Sequence, residues 1–537
     1  MRSGQKRVLV VGAGMSGLTA AAYLLRTGCQ VTVLEKSSAP GGLLATFDHE
    51  GFLFDAGPRA VGNAGILKPM LEDLGISLPM VRGQVSIGIG QGIIHVDSRE
   101  GLNGYLDLLV RLFPAAGAEI ARIGSRMRTE GKIVETLNRV ANPFFKDIPG
   151  DRAYLLREFL PWLPAFLGAT LRSSIPDQGV EAALAALSSD GHLRDIVSQH
   201  FFRGTPARFA LGYFENFLDY WYPLGGTGRI PAALAAKVEA EGGAILYSTE
   251  VAWVDADGKR AYDHAGRVYE YNALLWAADL KSLYQRILPS GHGGGRAREC
   301  EAEHILSARP GESVFTLFLG LDEDPERFRS VSRGHLIYTP SPEGLGGLRG
   351  EAMGLSGLEG DGLRRAVLAE LGEFCARNSY EISIPVLKDP AAAPPGRTGL
   401  IVSILADGRL FSQARVGGWQ DELKEGLAAS MLDTLEGSLY PGLRKKIIFM
   451  KTASPLSIMD RFGSSEGAVT GWSMEDRPPV PRSLAGIMAA PRTALPSVYK
   501  AGQWSYSPSG VPIAVFTGRL AARAICAELG CRRNGRG

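Results

Sequence analysis

The spacing of apolar residues changes several times along the chain, and each change predicts an element. Residues 7–11 form an almost unbroken apolar run, which predicts a buried strand. Residues 16–27 predict a helix and residues 30–34 a second strand, so 7–35 read as a βαβ unit. Between 100 and 215 the period becomes helical: Tyr105, Leu108, Leu109 and Leu112, then Ile133, Leu137 and Val140, recur at helical spacing. That block predicts an all-helical insertion. Residues 222–278 return to α/β character, with a glycine-rich turn at 225–228, a helix over 231–241, and strands at 244–247, 251–254 and 273–277. Residues 313–321 predict a long strand, and loops rich in Gly and Pro fall at 289–296, 340–350 and 389–399. The last helix is expected over 511–529.

The first βαβ unit carries chemistry. Gly12-Ala13-Gly14-Met15-Ser16-Gly17 joins its first strand to its helix. Gly12 permits the tight turn, Gly14 lets a pyrophosphate approach the backbone, and Gly17 lets helix and strand pack closely. The helix N-terminus then offers free N–H groups and partial positive charge to phosphates. Glu35, at the end of the second strand, suits a ribose diol and disfavours a 2′-phosphate.

Further along come Ala39-Pro40-Gly41-Gly42 and Gly51-Phe52-Leu53-Phe54-Asp55-Ala56-Gly57-Pro58. The whole pattern resembles the FAD-binding front end of the flavin amine oxidase and phytoene desaturase superfamily. Tyr222-Pro-Leu-Gly225-Gly226 with Gly242-Gly243 and Val251 is similar to a middle segment of phytoene desaturases, carotenoid isomerases and retinol saturases. Gly502-Gln503 with Gly510-Val511-Pro512 and 517–522 resembles their second FAD motif. Residues 384–396, with Lys388-Asp389-Pro390, and 454–472 resemble carotenoid-type members. The resemblance covers roughly 7–60, 220–280 and 384–530; residues 100–215 carry no motif that aligns.

This resemblance implies an α/β protein: a Rossmann-type FAD-binding domain built from residues 1–100, 216–285 and 456–537, with a discontinuous second, substrate domain. The latter joins mixed sheet over 286–455 to the helical insertion over 101–215, which would face substrate or membrane. The cofactor set it implies is Gly12, Ala13, Gly14, Met15, Ser16, Gly17, Glu35, Lys36, Gly41, Gly42, Leu43, Pro58, Arg59, Val251, Gly502, Gln503, Gly510, Val511 and Pro512. Two positions depart from the family: Leu43 stands where many members have Arg, and Gln503 where an acid is usual. Arg59 either projects toward the flavin or makes a surface salt bridge. Trp504 and Tyr506 either line the flavin cavity or pack beside the cofactor; with Arg59 they are the candidates for direct catalytic contact.

Composition narrows the alternatives. Hydrophobic residues make up 45% and charged residues 21%, an ordinary globular balance, and a net charge of +2 gives no field favouring nucleic acid. Five scattered cysteines argue against a disulfide framework, and Cys526 and Cys531 read as structural or incidental. The histidines show no metal-ligand spacing, so no metal is expected. No apolar run reaches the roughly 18 residues of a membrane span, and no signal peptide is evident, so cytoplasmic residence is expected. The apolar stretch 159–168 is either a monotopic membrane patch or a buried helix pair.

No second dinucleotide fingerprint follows, so oxygen or a quinone is the expected electron acceptor, and no cysteine near 505–510 offers a covalent flavin link, so FAD is expected to be noncovalent. The resulting expectation is hydride transfer to or from FAD on a hydrophobic isoprenoid or polyene: desaturation, saturation or isomerisation. An amine or protoporphyrinogen oxidase is the first alternative, and a flavin-binding scaffold without turnover the second.

Overall fold

In the computed structural model, residues 6–146, 150–173, 178–287, 295–348, 358–476, 483–505 and 510–531 are described. The first sheet follows from strands that are apolar on both faces. Arg7–Val11 pairs in parallel with Gln30–Leu34 on one side and Ala273–Trp276 on the other. Ala244–Leu246 and Val498–Lys500 complete a parallel five-stranded sheet. Strand alternation divides its two faces. Val8, Val10, Val31, Val33 and Leu275 pack beneath the helices Met15–Leu25, Arg229–Ala240 and Val511–Leu529. Leu9, Val11, Leu34, Leu274 and Trp276 join a second cluster with Val251 and Val254. The latter two come from the antiparallel meander Val251–Asp255, Arg260–Asp263 and Val268–Glu270. A parallel strand buried on both faces has no polar alternation, which is why the sequence signal is a continuous apolar run.

The second sheet has seven strands in the order 447–453, 313–321, 398–406, 380–383, 335–339, 85–89 and 92–96. All neighbours are antiparallel except His335–Thr339 with Val85–Ile89. Residues 85–96, expected within the FAD-binding part, thus add a hairpin to this sheet: Val85, Ile87 and Ile89 need an apolar cover, and the insertion helices supply it. One face of the sheet, with Leu317, Leu336, Ile382 and Val402, packs on the helices Gly360–Arg377 and Gln420–Ser438. The other face carries a cross-strand row Ile87, Ile337, Glu381, Ser403 and Thr316, apolar at one end and polar at the other.

The insertion is helical over its described residues, with Gly101–Leu112, Gly117–Asn138 and Ala207–Phe217 packed together around one apolar cluster. Residues 159–168 do not form a buried helix pair. They lie in and before the helix Leu160–Ser173, where Phe159, Trp162 and Phe166 stack along one side. The Trp162 indole N–H donates to the Thr136 carbonyl at 2.6 Å. Leu156, Leu160 and Leu167 stand 62%, 45% and 51% exposed at helical spacing. Among the described residues no helix is long and apolar enough to cross a membrane.

Candidate dinucleotide and flavin site

Three glycines of the first loop are needed for three different reasons. Gly12 has φ +103°, a left-handed conformation costly for residues with a Cβ. A Cβ on Gly17 would sit 2.0 Å from the Gly12 carbonyl oxygen. Gly14, however, has φ −80° and ψ −179°, which any residue adopts, and a Cβ there would meet nothing within 4 Å. Protein packing does not demand glycine at 14; the open space above it fits an approaching ligand. Beside it the helix Met15–Leu25 begins with no side-chain cap and no acid in its first turn, so its leading amides are available to an anion. These features fit the pyrophosphate of a dinucleotide.

Gly41 and Gly42 close over the same loop. The Gly41 amide donates to the Ala13 carbonyl at 2.9 Å, and a Cβ on Gly42 would lie 3.6 Å from the Gly14 Cα. The Leu43 carbonyl is pressed against Gly57, whose Cβ would come within 1.8 Å of it, so Leu43 contributes backbone shape where a family arginine would contribute charge. The Glu35 carboxylate accepts from the Ala13 amide at 2.7 Å and the Ser37 amide at 2.8 Å, leaving lone pairs for ribose hydroxyls. Lys36 lies against Gly463, its ammonium 3.1 Å from where a Cβ would be. Thr249 donates its amide to the Glu35 carbonyl at 2.8 Å, which brings Val251 alongside; the Val251 carbonyl accepts from Arg286.

The C-terminal segment reaches the same place. Gly502, at φ +96°, would put a Cβ 3.1 Å from the Ser16 hydroxyl, and a Cβ on Gly518 would lie 2.3 Å from the Ser16 carbonyl. Residues nearly five hundred positions apart therefore touch across two helices. The Gly502 amide donates to Thr517 Oγ1 at 2.9 Å. Gly510, at φ +127°, precedes an uncapped helix with Pro512 in its first turn, and Pro512 approaches Gly62 at 4.0 Å from a Cβ built there. Gln503 is half-buried and its carbonyl is packed against Gly471. Trp504 is not a cavity wall: it is 3% exposed, its ring meets Trp472 edge-on at 5.2 Å, and its carbonyl accepts from the Trp472 indole at 3.0 Å. Its bulk is spent sealing the apolar cluster under the first sheet. Tyr506 lies outside the described residues.

Arg59 follows the exposed Pro58 and makes no surface salt bridge. It is 3% exposed and donates to the Asp55 carbonyl at 2.9 Å, the Gly57 carbonyl, and the Ser403 hydroxyl at 2.7 Å. Its Nε has no partner among the described residues. Arg59 thus bridges the dinucleotide half to the polar end of the seven-stranded sheet. Around it, Lys388 donates to the Arg59 carbonyl at 2.8 Å and to Ser383 at 2.9 Å, and sits 4.1 Å from the centroid of the Tyr222 ring. Fully buried Asp55 accepts from Thr46, Tyr222 and the Thr227 amide and hydroxyl at 2.8–3.0 Å. The Gly225 amide donates to Asp389 at 2.7 Å, which joins the 222–231 and 384–396 motifs. Glu381 lies 3.1 Å from the His335 imidazole, whose ring stacks on Tyr220 at 6.0 Å.

Comparison with known proteins places this geometry. The family described as flavin containing amine oxidoreductase matches residues 15–526. The chain belongs to that family. It is also similar to a phytoene desaturase (neurosporene-forming) from Cereibacter sphaeroides, 25% identical over 96% of this chain and 94% of the relative. A second relative is the all-trans-retinol 13,14-reductase of Macaca fascicularis, 24% identical over 98% of this chain and 86% of that one. An oxidoreductase structure from Methanosarcina mazei shares the fold with a TM-score of 0.59, at 16% identity over 97% of this chain and 100% of that one. The protein is an FAD-dependent oxidoreductase.

Within this FAD-dependent oxidoreductase, electrostatics distinguish the polar end of the sheet. Burial lowers the Lys388 ammonium to about 8, with Arg59 adding to the effect and Asp55 and Glu381 opposing it. Burial also lowers Arg59. For Glu381, burial alone would raise the carboxyl; the His335 imidazole, Arg59 and Lys388 outweigh it and hold the acid at about 2. Its side chain keeps 39% of its surface open. Sequence reading missed Glu381, Ser383, Ser403 and His335, which are spread over three strands with no shared motif; Lys388 and Asp55 stood inside quoted motifs but were given no role.

The Lys388 value makes a stability prediction. Its folded-state value lies below the unfolded 10.5, so between about pH 8 and 10 the unfolded chain binds more protons and stability rises with pH. The cost of the buried charge below pH 8 is on the order of 3 kcal/mol. Lys388→Met is expected to flatten that alkaline rise, read from unfolding midpoints of both proteins across the window. An unchanged slope would show that Lys388 stays charged throughout.

Proposed function

We propose that the protein transfers hydride between noncovalently bound FAD and a hydrophobic isoprenoid or polyene, by desaturation, saturation or isomerisation. The observation that carries this reading is the small apolar cavity between the insertion and the second sheet. Ile87, Ile337, Tyr105, Ile196, Phe214 and Phe217 line it, with Tyr213 at its polar side. The Tyr213 hydroxyl meets the Tyr220 hydroxyl at 2.5 Å, and Tyr220 leads through His335 to Glu381. The cavity itself is about 40 Å³, so a polyene enters it by displacing these aromatic and branched side chains, next to a small polar wall. FAD supplies the redox chemistry when bound. Arg59, held by two backbone carbonyls and Ser403, keeps a positive charge between the dinucleotide half and the sheet. Glu381 keeps a negative charge in the same cross-strand row as Ile337 and Ile87. The related phytoene desaturase and retinol reductase names support this class of substrate, and oxygen or a quinone serves as the electron acceptor.

The test is anaerobic. Purified protein is mixed with polyene hydrocarbons, retinoids, amines and porphyrinogens, and its flavin spectrum is followed; reduced protein is then offered quinones and oxygen. Bleaching or reoxidation by a polyene supports the proposal. Bleaching by an amine alone, with peroxide on reoxidation, selects the amine-oxidase reading, which the ionised Glu381, paired across the sheet with Ile337, favours by attracting a cation. A spectrum that no compound or reductant changes selects a scaffold.

A lipid-soluble substrate also gives the exposed leucines a role: Leu156, Leu160 and Leu167 form a peripheral membrane contact beside the insertion. The wild type is expected to float with phospholipid vesicles, and the triple substitution to serine to remain at the bottom of the gradient with unchanged flavin content. A wild type that never floats removes the membrane contact.

A further inference from the structure

Three of the five cysteines meet far from the flavin edge. Cys29 lies at the turn before the second strand, Cys526 in the last turns of the C-terminal helix, and Cys531 just beyond it. Gly530, at φ +61°, ends that helix in a left-handed cap, and the Cys531 amide returns to the Cys526 carbonyl at 2.9 Å. The reversal delivers the Cys531 sulfur to 3.4 Å from the Cys29 sulfur, across 502 positions of sequence. The Thr27 hydroxyl lies 3.5 Å from the Cys29 sulfur and 3.4 Å from the Cys526 sulfur, so the three thiols form one cluster. Cys29 is buried and the other two are half-buried, which leaves the cluster open on one side. The described residues hold no group of ligands suited to a metal ion.

We propose that Cys29 and Cys531 are a reversible oxidation site that closes to a disulfide and ties the C-terminal helix to the first sheet. The sulfurs need to close from 3.4 Å to about 2.05 Å. Cys531 follows the helix end and moves most easily. The oxidant is a low-molecular-weight disulfide, R–S–S–R. The Cys531 sulfur, in the minor thiolate form of a thiol that burial raises, attacks one of its sulfurs, forming a mixed disulfide and releasing RS⁻. The Cys29 sulfur then attacks the Cys531 sulfur and releases the second RS⁻. Two electrons pass from the protein thiols to the oxidant, and their two protons end on the released thiols.

The location gives the bridge a consequence. The helices Met15–Leu25 and Val511–Leu529 run side by side, meeting near Ser16 and Gly518 at one end and near Thr27 and Cys526 at the other. Their N-termini frame the dinucleotide site roughly 15 Å away along the helices. A bridge between residues 29 and 531 closes almost the entire chain into one loop, which restricts the unfolded state.

The experiment treats the full-length FAD-loaded protein with oxidised glutathione, blocks remaining thiols with an alkylating agent, and maps peptides by mass without reduction. The expected result is a linked pair containing Cys29 and Cys531, lighter by two hydrogens than the separate peptides, and restored to free thiols by dithiothreitol. The melting temperature should rise by about 4 °C on oxidation, and release of FAD should slow. Cys526→Ser should keep the linked pair. Cys531→Ser, altered only near the chain end, should lose both the pair and the rise while melting like the reduced wild type. Free or merely glutathionylated Cys531 after treatment, a bridge joining other cysteines instead, or an equal melting shift in Cys531→Ser overturns the proposal.

Discussion

Gly14→Val is expected to give a protein that folds as stably as the flavin-free wild type and binds almost no FAD. The backbone at 14 is extended, at φ −80° and ψ −179°, and space above it is open, so a larger side chain costs the fold little. The same side chain fills the place where a pyrophosphate must reach the leading amides of the helix Met15–Leu25. A loss of at least 100-fold in affinity is expected, equivalent to about 3 kcal/mol. Flavin titration reads the affinity, and melting of the flavin-free proteins reads the fold. Gly17→Ala supplies the contrast: its Cβ would lie 2.0 Å from the Gly12 carbonyl oxygen, so stability and binding should fall together. If Gly14→Val retains FAD, the dinucleotide does not lie over this loop.

The second large effect is on stability. Asp55→Ala removes a carboxylate that is 0% exposed and accepts hydrogen bonds from Thr46, Tyr222 and two atoms of Thr227. Each buried donor left without a partner costs about 1–3 kcal/mol, and partial relaxation or water admission recovers some of it. A net loss of about 4 kcal/mol is expected. Asp55→Asn keeps the size and one acceptor oxygen, and should lose about half as much. Denaturant unfolding of the three flavin-free proteins checks the order. If Asp55→Ala proves as stable as the wild type, these donors have other partners in solution and the junction does not depend on Asp55.

Several elements were legible because their signals are local. The strands Arg7–Val11 and Gln30–Leu34, Ser313–Leu321 and the helix Val511–Leu529 coincide with the residues expected of them. Each has a continuous apolar run or a helical period bounded by a glycine, so short-range preference and burial agree. Elsewhere the helix that contains Gly17 starts and stops slightly earlier than expected, at Met15 and Leu25. Its first turn is stabilised by what it faces, which residue preference alone does not register.

The stretch 159–168 and Trp504 show the opposite failure. An apolar decapeptide with two prolines says nothing about which face meets protein, and only packing against the helix Gly117–Asn138 separates the aromatic side from the leucine side. Trp504 follows a flavin motif, but its position in the turn aims the ring into the core with Trp472.

A glycine loop, the acid after the next strand and the helix start that it serves lie within thirty residues, so the order of residues alone was enough to specify a dinucleotide site: these conformational demands are met by neighbours in the chain. The union of Arg59, Glu381, Lys388 and Ser403 arises because a row across several strands meets a loop from the other half of the molecule. Long-range pairing and burial create that meeting, along with the shifted acidities and the three-thiol cluster, and no local pattern encodes which distant strand becomes a neighbour.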